Sequence, residues 1–201
     1  MGSARETTGA GVPVGLARER LMALLDSGDA RYRLLPHPPE GKTEVASRLR
    51  RHQLAQAAKC IVIRVALDRK ARRYVLAVVA GDRYIDLDRV RRLLGGTKAL
   101  FAQRSVAERL AGSESGTIVP FTFDPELDLI VDHGLLAHDE IYFNAARLDE
   151  SIALNTRDYL RLAQPRIAII RMAQDRSGGA HETPLIAAPG TDAALVNGRG
   201  S

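Results

Sequence analysis

The chain has 201 residues, 45% of them hydrophobic, which is enough for one domain with its own core, alone or with tails. Cys60 is the single cysteine, so no internal disulfide can form, and no apolar run reaches the roughly 20 residues that a membrane-spanning helix needs. The net charge of +5 favours a polyanionic partner, while an aromatic content of 4% without tryptophan argues against a broad base-stacking surface. We expect a soluble cytoplasmic protein without a signal peptide and without a membrane partner.

The two ends of the chain differ in composition from its middle. Residues 1–14 and 174–201 are rich in Gly, Ala, Ser, Thr and Pro and have no sustained apolar period, so both are predicted to be disordered tails. The intervening residues 15–173 are predicted to form one domain.

The first half of this domain alternates helix-like and strand-like patterns. Helical periodicity over 16–25 is followed by a short strand, and a second helix begins at Thr43, with residues 54–58 as part of its apolar face. Two apolar runs with a basic turn between them then predict a β-hairpin. The predicted strands of this half cover residues 32–35, 60–67, 73–80 and 84–86.

The second half of the domain predicts three helices and three strands. A helix over 88–94 ends at a glycine pair suited to a left-handed C-cap, a helix over 105–110 has Ser105 as its N-cap, and Thr156 caps the last helix. The predicted strands cover residues 127–131, 140–143 and 151–154. Strands interleaved with helices predict an α/β fold of the α+β type, with helices packed on a mixed sheet. No strand is followed by a glycine-rich phosphate loop, so a Rossmann fold is not predicted.

Basic residues cluster in three places, at 48–52, 69–73 and 89–92. Each cluster is either the solvated face of a helix or turn, or part of a surface that binds the phosphates of a nucleic acid. If RNA is the partner, phosphate contacts are expected to supply most of the affinity.

Common hydrolytic motifs are missing from the sequence. The five histidines are scattered, Cys60 has no second cysteine, and no His-x-x-x-His or Cys-x-x-Cys pair exists, so no metal and no cofactor are predicted. The segment 112–116 does not have the spacing of a Gly-x-Ser-x-Gly nucleophile elbow. These observations argue against a metallohydrolase and against a Ser-His-Asp esterase.

Three residues at element boundaries remain as candidates for chemistry. Lys59 stands where an apolar segment meets a strand, Gly116 precedes the run 117–121, and Asp149 lies in a short connection between two strands. On composition alone each has an ordinary structural interpretation, as a solvated strand end, a loop glycine and a turn aspartate.

These candidates lie in segments that resemble a known family. The segments are 56–59 (Gln-Ala-Ala-Lys), 116–121 (Gly-Thr-Ile-Val-Pro-Phe), 139–149 and 155–160 (Asn-Thr-Arg-Asp-Tyr-Leu). In their order and spacing, from about residue 16 to residue 165, the chain resembles the YbaK/prolyl-tRNA synthetase-associated domain family of editing domains and free-standing trans-editing factors. Its Pro-Phe-Thr-Phe loop is similar to that of the branch that clears seryl- or threonyl-tRNA. The resemblance implies a mixed, mostly antiparallel, barrel-like sheet flanked by helices, without a metal.

The resemblance also implies roles for individual residues. Lys59 corresponds to the family's lysine that holds the terminal adenosine phosphate or orients the aminoacyl ester. Gly116 corresponds to the glycine whose loop backbone holds the ester carbonyl, and Asp149 to an aspartate that lines the pocket, so these three are the predicted catalytic residues. The predicted substrate-binding residues are His37, Thr117, Ile118, Pro120, Phe121 and Asn144.

The implied function is hydrolysis of the ester bond of a mischarged aminoacyl-tRNA that carries Ser, Thr or Ala, with backbone amides near Gly116 orienting the attacking water. The expected partner is tRNA, and an aminoacyl-tRNA synthetase is a further candidate. The alternative is a non-catalytic tRNA-binding adaptor of a synthetase that uses the same basic surface. The intact set of Lys59, Gly116 and Asp149 favours the enzyme, because a pure binding module has no need of it. A generic basic structural domain does not account for these motifs.

Overall fold

Five α-helices and eight β-strands make up the described part of the chain, residues 16–69 and 71–173, in a computed structural model. The predicted tails at 1–14 and 174–201 lie outside the described residues. The helices are α1 (Leu16–Ser27), α2 (Thr43–Arg50), α3 (Leu87–Leu93), α4 (Arg104–Ala111) and α5 (Thr156–Ala163), with 3₁₀ turns at Leu54–Gln56 and His133–Ala137. The strands are β1 (Tyr32–Pro36), β2 (Ala58–Ala66), β3 (Arg72–Ala80), β4 (Lys98–Phe101), β5 (Leu127–Asp132), β6 (Glu140–Asn144), β7 (Glu150–Asn155) and β8 (Arg166–Ala168).

The strands form two sheets that do not close into a barrel. One sheet has the order β1-β7-β6 and the other the order β4-β2-β3-β5-β8, and all neighbours are antiparallel except β3 with β5 and β5 with β8. The prediction of a mixed, mostly antiparallel arrangement with helices is therefore confirmed. The expected barrel-like closure is wrong, because within the described residues the two sheets are joined only by a single parallel bridge from Ala57 to Tyr142.

The predicted β-hairpin is β2 with β3, and β3 is the central strand of the larger sheet. Its residues from Val75 to Ala80 are all buried, as expected for a strand covered on both faces. Alternate side chains of β3 enter two different apolar clusters. Leu76 and Val78 pack with residues of α1, α4 and the smaller sheet, while Val75 and Val79 pack with α3. The larger sheet thus separates two cores.

The predicted second helix is shorter than its apolar pattern indicates. The helix is capped by Arg51, which has a left-handed conformation with φ of 55°. The amides of Arg51 and the next residue donate hydrogen bonds to carbonyl oxygens of the last turn. Residues 54–58 are not on its apolar face, which corrects that prediction. They form a 3₁₀ turn and the first residue of β2, so this turn sets the place where β2 begins.

Several local predictions are also wrong. Residues 84–86 do not form a strand, since Ile85 makes only an isolated bridge to Arg171. Asn155, not Thr156, caps α5, and Gln103, not Ser105, precedes α4. The edge strands β4 and β8 were not predicted, because their side chains are mostly exposed and the strands are defined by pairing with β2 and β5. Within the two described ranges, no helix is both long and apolar enough to span a membrane.

Candidate active site

A cavity of about 250 Å³ lies between α2, the first half of β2, the end of β6 and the loop at Gly116. It is smaller than the roughly 300–1,000 Å³ of sites for drug-sized ligands, so a small group fits inside it. The predicted site residues that line it are Lys59, Gly116, Ile118 and Asn144. Residues from four separate segments of the sequence thus meet in one cavity.

Lys59 is a partly buried cation on the cavity wall. It follows the first residue of β2, and its Nζ donates a 3.1 Å hydrogen bond to the carbonyl oxygen of Gly81 and lies 5.0 Å from the centre of the Tyr84 ring. Desolvation by burial lowers the pKa of Lys59, although the nearby carboxylates of Glu44 and Asp82 act in the opposite direction. The ammonium is therefore held in place by a carbonyl and an aromatic face rather than by a carboxylate at bonding distance.

Gly116 brings its loop into contact with the loop that precedes α2. Its φ of +94° is strained for any residue with a side chain, and a Cβ at this position would lie 3.1 Å from the Cα of Gly41. Asn144 joins the two loops, since its Nδ2 donates to the carbonyl oxygens of Glu40 and Gly116 at 2.9 and 2.8 Å. Among the described residues, the amides of Gly116 and Ile118 have no hydrogen-bond acceptor, and both residues line the cavity.

A chain of polar contacts runs from Asn144 to His37. Because Asn144 uses its Nδ2 for two carbonyls, its Oδ1 accepts the hydroxyl of buried Ser151 at 3.0 Å. The Oγ of Ser151 in turn lies 2.6 Å from His37 Nε2. His37 does not line the cavity, and the structure places it behind Asn144. It supports the cavity through Ser151.

The structure does not bring the carboxylate of Asp149 into the cavity. Its two oxygens accept from Arg147 Nε and Nη2, both at 2.8 Å, and its side chain is 43% exposed. The bonds from Arg147 lower the pKa of Asp149. The residue reaches the site through its backbone instead, since its carbonyl oxygen accepts the amide of His37 at 3.0 Å. Asp149 therefore anchors the loop that carries Gly41.

The other predicted substrate-binding residues belong to the scaffold beneath the cavity. Thr117 is buried and donates its hydroxyl to the carbonyl of Glu114. The carbonyl of Pro120 accepts the hydroxyl of buried Tyr159, and Phe121 packs against Phe143 and Tyr159 in the core. They hold the strand-like run that follows Gly116 in position rather than lining the cavity.

Sequence reasoning missed Arg50, which lines the cavity from the last turn of α2. In the sequence Arg50 belongs to the basic cluster at 48–52, whose pattern indicates a solvated face or a phosphate-binding surface. A signal was nevertheless present, because Thr43, Ala46 and Arg50 have the spacing of one helix face and all three line the cavity. Tyr142 was also missed, and its ring stacks on His52 at a centroid distance of 4.0 Å.

The cavity offers cations and backbone amides rather than a nucleophile or a metal site. Burial raises the pKa of the Cys60 thiol, which makes thiolate chemistry at neutral pH unfavourable. In residues 16–69 and 71–173, no group of three His, Cys, Asp or Glu side chains has a metal-binding arrangement. Such a site can hold an anionic or carbonyl oxygen and position a water molecule.

Comparisons with known proteins identify the family to which this fold belongs. A sequence profile of the aminoacyl-tRNA editing domain matches residues 37–162. The chain is 39% identical over 157 residues to the multifunctional Ser/Thr-tRNA deacylase ProXp-y of Escherichia coli K12, which covers 78% of this chain and 93% of that protein.

Two solved structures share the fold at low sequence identity. The crystal structure of a protein described only as hypothetical has a TM-score of 0.69 at 18% identity and covers 76% of this chain and 99% of its own. A structure assigned to a trans-editing enzyme for prolyl tRNA synthetase has a TM-score of 0.66 at 19% identity and covers 78% and 98%. The profile match and the curated relative together show that the chain belongs to the aminoacyl-tRNA editing domain family.

Proposed function

We propose that the protein is a trans-editing deacylase that hydrolyses the ester bond of tRNA mischarged with a small amino acid, namely Ser, Thr or Ala. The observation that carries the proposal is that Lys59 and Gly116, from distant parts of a chain of this family, line the same small cavity. The curated relative in Escherichia coli is named a Ser/Thr-tRNA deacylase, and the chain spans nearly its whole length.

The chemistry requires little beyond orientation, because an aminoacyl ester is already activated. The amides of Gly116 and Ile118 supply donors for the ester carbonyl, and each such donor contributes about 10²–10³ in rate when it stabilises the oxyanion. A water molecule held beside them attacks the carbonyl carbon, the bond from that carbon to the ribose oxygen breaks, and a proton of the attacking water passes to the ribose oxygen. No metal takes part in these steps.

Lys59 anchors the 3′ end of the tRNA in this proposal. Its ammonium is desolvated but has no carboxylate at bonding distance among the described residues, so a phosphate oxygen is a stronger partner than the Gly81 carbonyl that it now contacts. His37 and Asp149 position the Gly41 loop through Ser151 and through a backbone bond, respectively. In this scheme they act as positioning residues.

The size of the cavity limits the amino acid. A volume of about 250 Å³ accommodates a small side chain and the ester, while the ribose and adenine remain at the opening. Excluding a larger side chain by size alone yields only about 1–3 kcal/mol per methylene, so additional polar contacts are needed for sharper selection.

The test is release of amino acid from Ser-, Thr- and Ala-charged tRNA by the wild type, by Lys59→Ala and by Lys98→Ala. Lys98 is an exposed lysine on β4 and serves as the control. We expect the wild type to cleave at least one ester, Lys59→Ala to lose about 100-fold or more of that activity, and Lys98→Ala to retain it. Equal turnover by Lys59→Ala and the wild type would remove Lys59 from the mechanism. Binding of tRNA without cleavage of any ester would favour the adaptor.

A further inference from the structure

Tyr84 is an aromatic residue that is open to solvent beside the candidate active site. The residue is 56% exposed, and the Lys59 ammonium lies over its ring, 5.0 Å from the ring centre. Lys59 also lines the cavity. The Tyr84 ring is therefore separated from the cavity by a single side chain, and a ligand can reach it from solvent.

The turn that leads to Tyr84 is packed against the wall of the cavity. The carbonyl oxygen of Gly81 accepts a hydrogen bond from the Lys59 ammonium at 3.1 Å. A Cβ added to Gly81 would lie 3.0 Å from Cγ2 of Thr43, which is another residue of the cavity wall. Contacts with lining residues of two different elements thus fix the place of this turn beside the cavity.

Hydrogen bonds on both sides of Tyr84 hold its backbone. The amide of Arg83 donates to the carbonyl oxygen of Ala80 at 2.9 Å, and the carbonyl oxygen of Tyr84 accepts the amide of Met172 at 2.8 Å. The next residue, Ile85, is buried in the core behind the larger sheet. Because the backbone is fixed in this way, the exposed ring has little freedom to lose when it binds a planar ligand.

The proposed substrate has a planar group that must lie outside the cavity. A volume of about 250 Å³ holds the small amino acid and its ester, so the terminal adenine remains at the opening. Aromatic side chains beside cations bind the bases of single-stranded nucleic acids by stacking. The low aromatic content argues against a broad stacking surface, but one base requires only one ring.

Phe101 shows that exposure alone does not single out Tyr84. It is the other exposed Phe or Tyr within residues 16–69 and 71–173, at 58%. Phe101 lies on β4 and pairs with Ile63, and neither residue lines the cavity. Tyr84 differs from it by its contact with Lys59, and Phe101 therefore serves as a matched control.

We propose that Tyr84 stacks on the terminal adenine of the charged tRNA and thereby orients the ester at the cavity. The inference rests on the proposed function and adds a substrate-binding residue to that site. The base uses the ring face opposite to the Lys59 ammonium, so Lys59 and Tyr84 together hold the phosphate and the base of one nucleotide. Stacking supplies affinity without hydrogen-bond readout of the base.

The test compares the calorimetric Kd of two stable analogues. One is 3′-(L-seryl)amino-3′-deoxyadenosine 5′-phosphate, and the other is the same compound with hydrogen in place of the adenine. The proteins are the wild type, Tyr84→Phe, Tyr84→Leu and Phe101→Leu. We expect the wild type, Tyr84→Phe and Phe101→Leu to bind the adenine analogue about fivefold or more tightly than the analogue without a base, and Tyr84→Leu to lose most of this preference.

Three results would overturn the inference. A preference that Tyr84→Leu leaves unchanged would locate the base elsewhere. Equal weakening of both analogues by Tyr84→Leu would indicate that the ring acts only by holding Lys59. A wild type that binds both analogues equally, or neither, would show that the adenine contributes nothing. Thermal unfolding identifies a variant that fails to fold, and Tyr84→Gln takes the place of Tyr84→Leu in that case.

Hydrolysis of Ser-charged tRNA by the wild type, measured in parallel, separates this inference from the proposed function. Cleavage without a preference for the adenine analogue leaves the proposed function intact and removes the role of Tyr84. A preference for the adenine analogue without cleavage of any charged tRNA gives the reverse.

Discussion

Gly116 shows how much a single residue contributes to the geometry of the cavity. Its positive φ and its contact with Gly41 allow two loops to meet where no side chain fits, and Asn144 fixes both loops by hydrogen bonds to their carbonyls. The resemblance indicated that Gly116 is important. It did not indicate that Gly41, which lies 75 positions earlier in the chain, is its contact.

We predict that Gly116→Ala lowers both stability and deacylation. The strained φ and the 3.1 Å approach to Gly41 are expected to cost about 1–3 kcal/mol in the free energy of unfolding and to displace the amides at the cavity. Urea unfolding and hydrolysis of charged tRNA measure the two effects. Gly95→Ala is the matched control, since Gly95 also has a positive φ of +66° but no atom within 4 Å of the added Cβ. If both variants keep full activity, the contact between the loops is not needed.

At the scale of elements, one carboxylate joins the last described segment to the larger sheet. Asp132 ends β5, is 1% exposed, and accepts from the amides of Gly134, Ile170 and Arg171 and from the Arg171 guanidinium. Burial alone raises the pKa of Asp132, but these four bonds outweigh it and lower the pKa below its usual 3.8. The segment that follows β8 is thus held by a buried charge as well as by strand pairing.

We predict that Asp132→Asn lowers the free energy of unfolding by about 3 kcal/mol near neutral pH, because it breaks a buried pair and leaves donors unsatisfied. Since the folded pKa lies below the unfolded value of 3.8, the contribution of Asp132 is complete above that pH and is lost as the pH falls through the folded pKa. The difference between wild type and variant is therefore expected to shrink in acid. Denaturant titrations at several pH values measure it.

The control for this prediction is Asp128→Asn. Asp128 is also on β5 and pairs with Arg73, but it is 41% exposed, so a loss of less than about 1 kcal/mol is expected. An Asp132 variant as stable as the Asp128 variant would contradict the role of the buried network.

At the scale of the whole molecule, the excess positive charge is unevenly compensated. Arg73, Arg89 and Arg91 from the basic clusters are paired with aspartates. Arg48 and Arg51, at the end of the helix that lines the cavity, are exposed and have no ion-pair partner in the described residues. Of the predicted basic clusters, the one at 48–52 is therefore the best placed to contact tRNA phosphates beside the site.

We predict that the double substitution Arg48→Gln and Arg51→Gln weakens tRNA binding and reduces the slope of log Kd against log salt by about 1.4, as expected for the loss of two phosphate contacts to a single strand. Measurements of the Kd for tRNA from about 50 to about 200 mM salt, a range in which phosphate contacts respond strongly, test this prediction. Arg91→Gln, which removes an ion-paired arginine, is expected to leave the slope nearly unchanged. An unaltered slope in the double variant would locate the tRNA surface elsewhere.

The sequence by itself determined the hairpin, most helices and strands, and the editing family, and it marked Lys59 and Gly116 as candidate site residues, which the structure places on one cavity. These follow from local periodicity and from motifs in fixed order, which need no knowledge of what packs against what. The prediction of an aminoacyl-tRNA editing enzyme is confirmed by the family match. The edge strands and the separation into two sheets escaped prediction, because pairing between distant strands leaves little trace in local composition.

Only the tertiary structure decided which residues reach the cavity. Asp149 and Phe121 stand in the family's motifs, yet an ion pair with Arg147 holds one at the surface and aromatic packing holds the other in the core. Arg50 resembled a solvated charge in the sequence, yet in the structure it lines the cavity, where its Nε donates to the Ala46 carbonyl and its Nη1 is buried. The physical reason is that burial and hydrogen-bond satisfaction depend on neighbours from other segments, and residue type and spacing do not specify those neighbours.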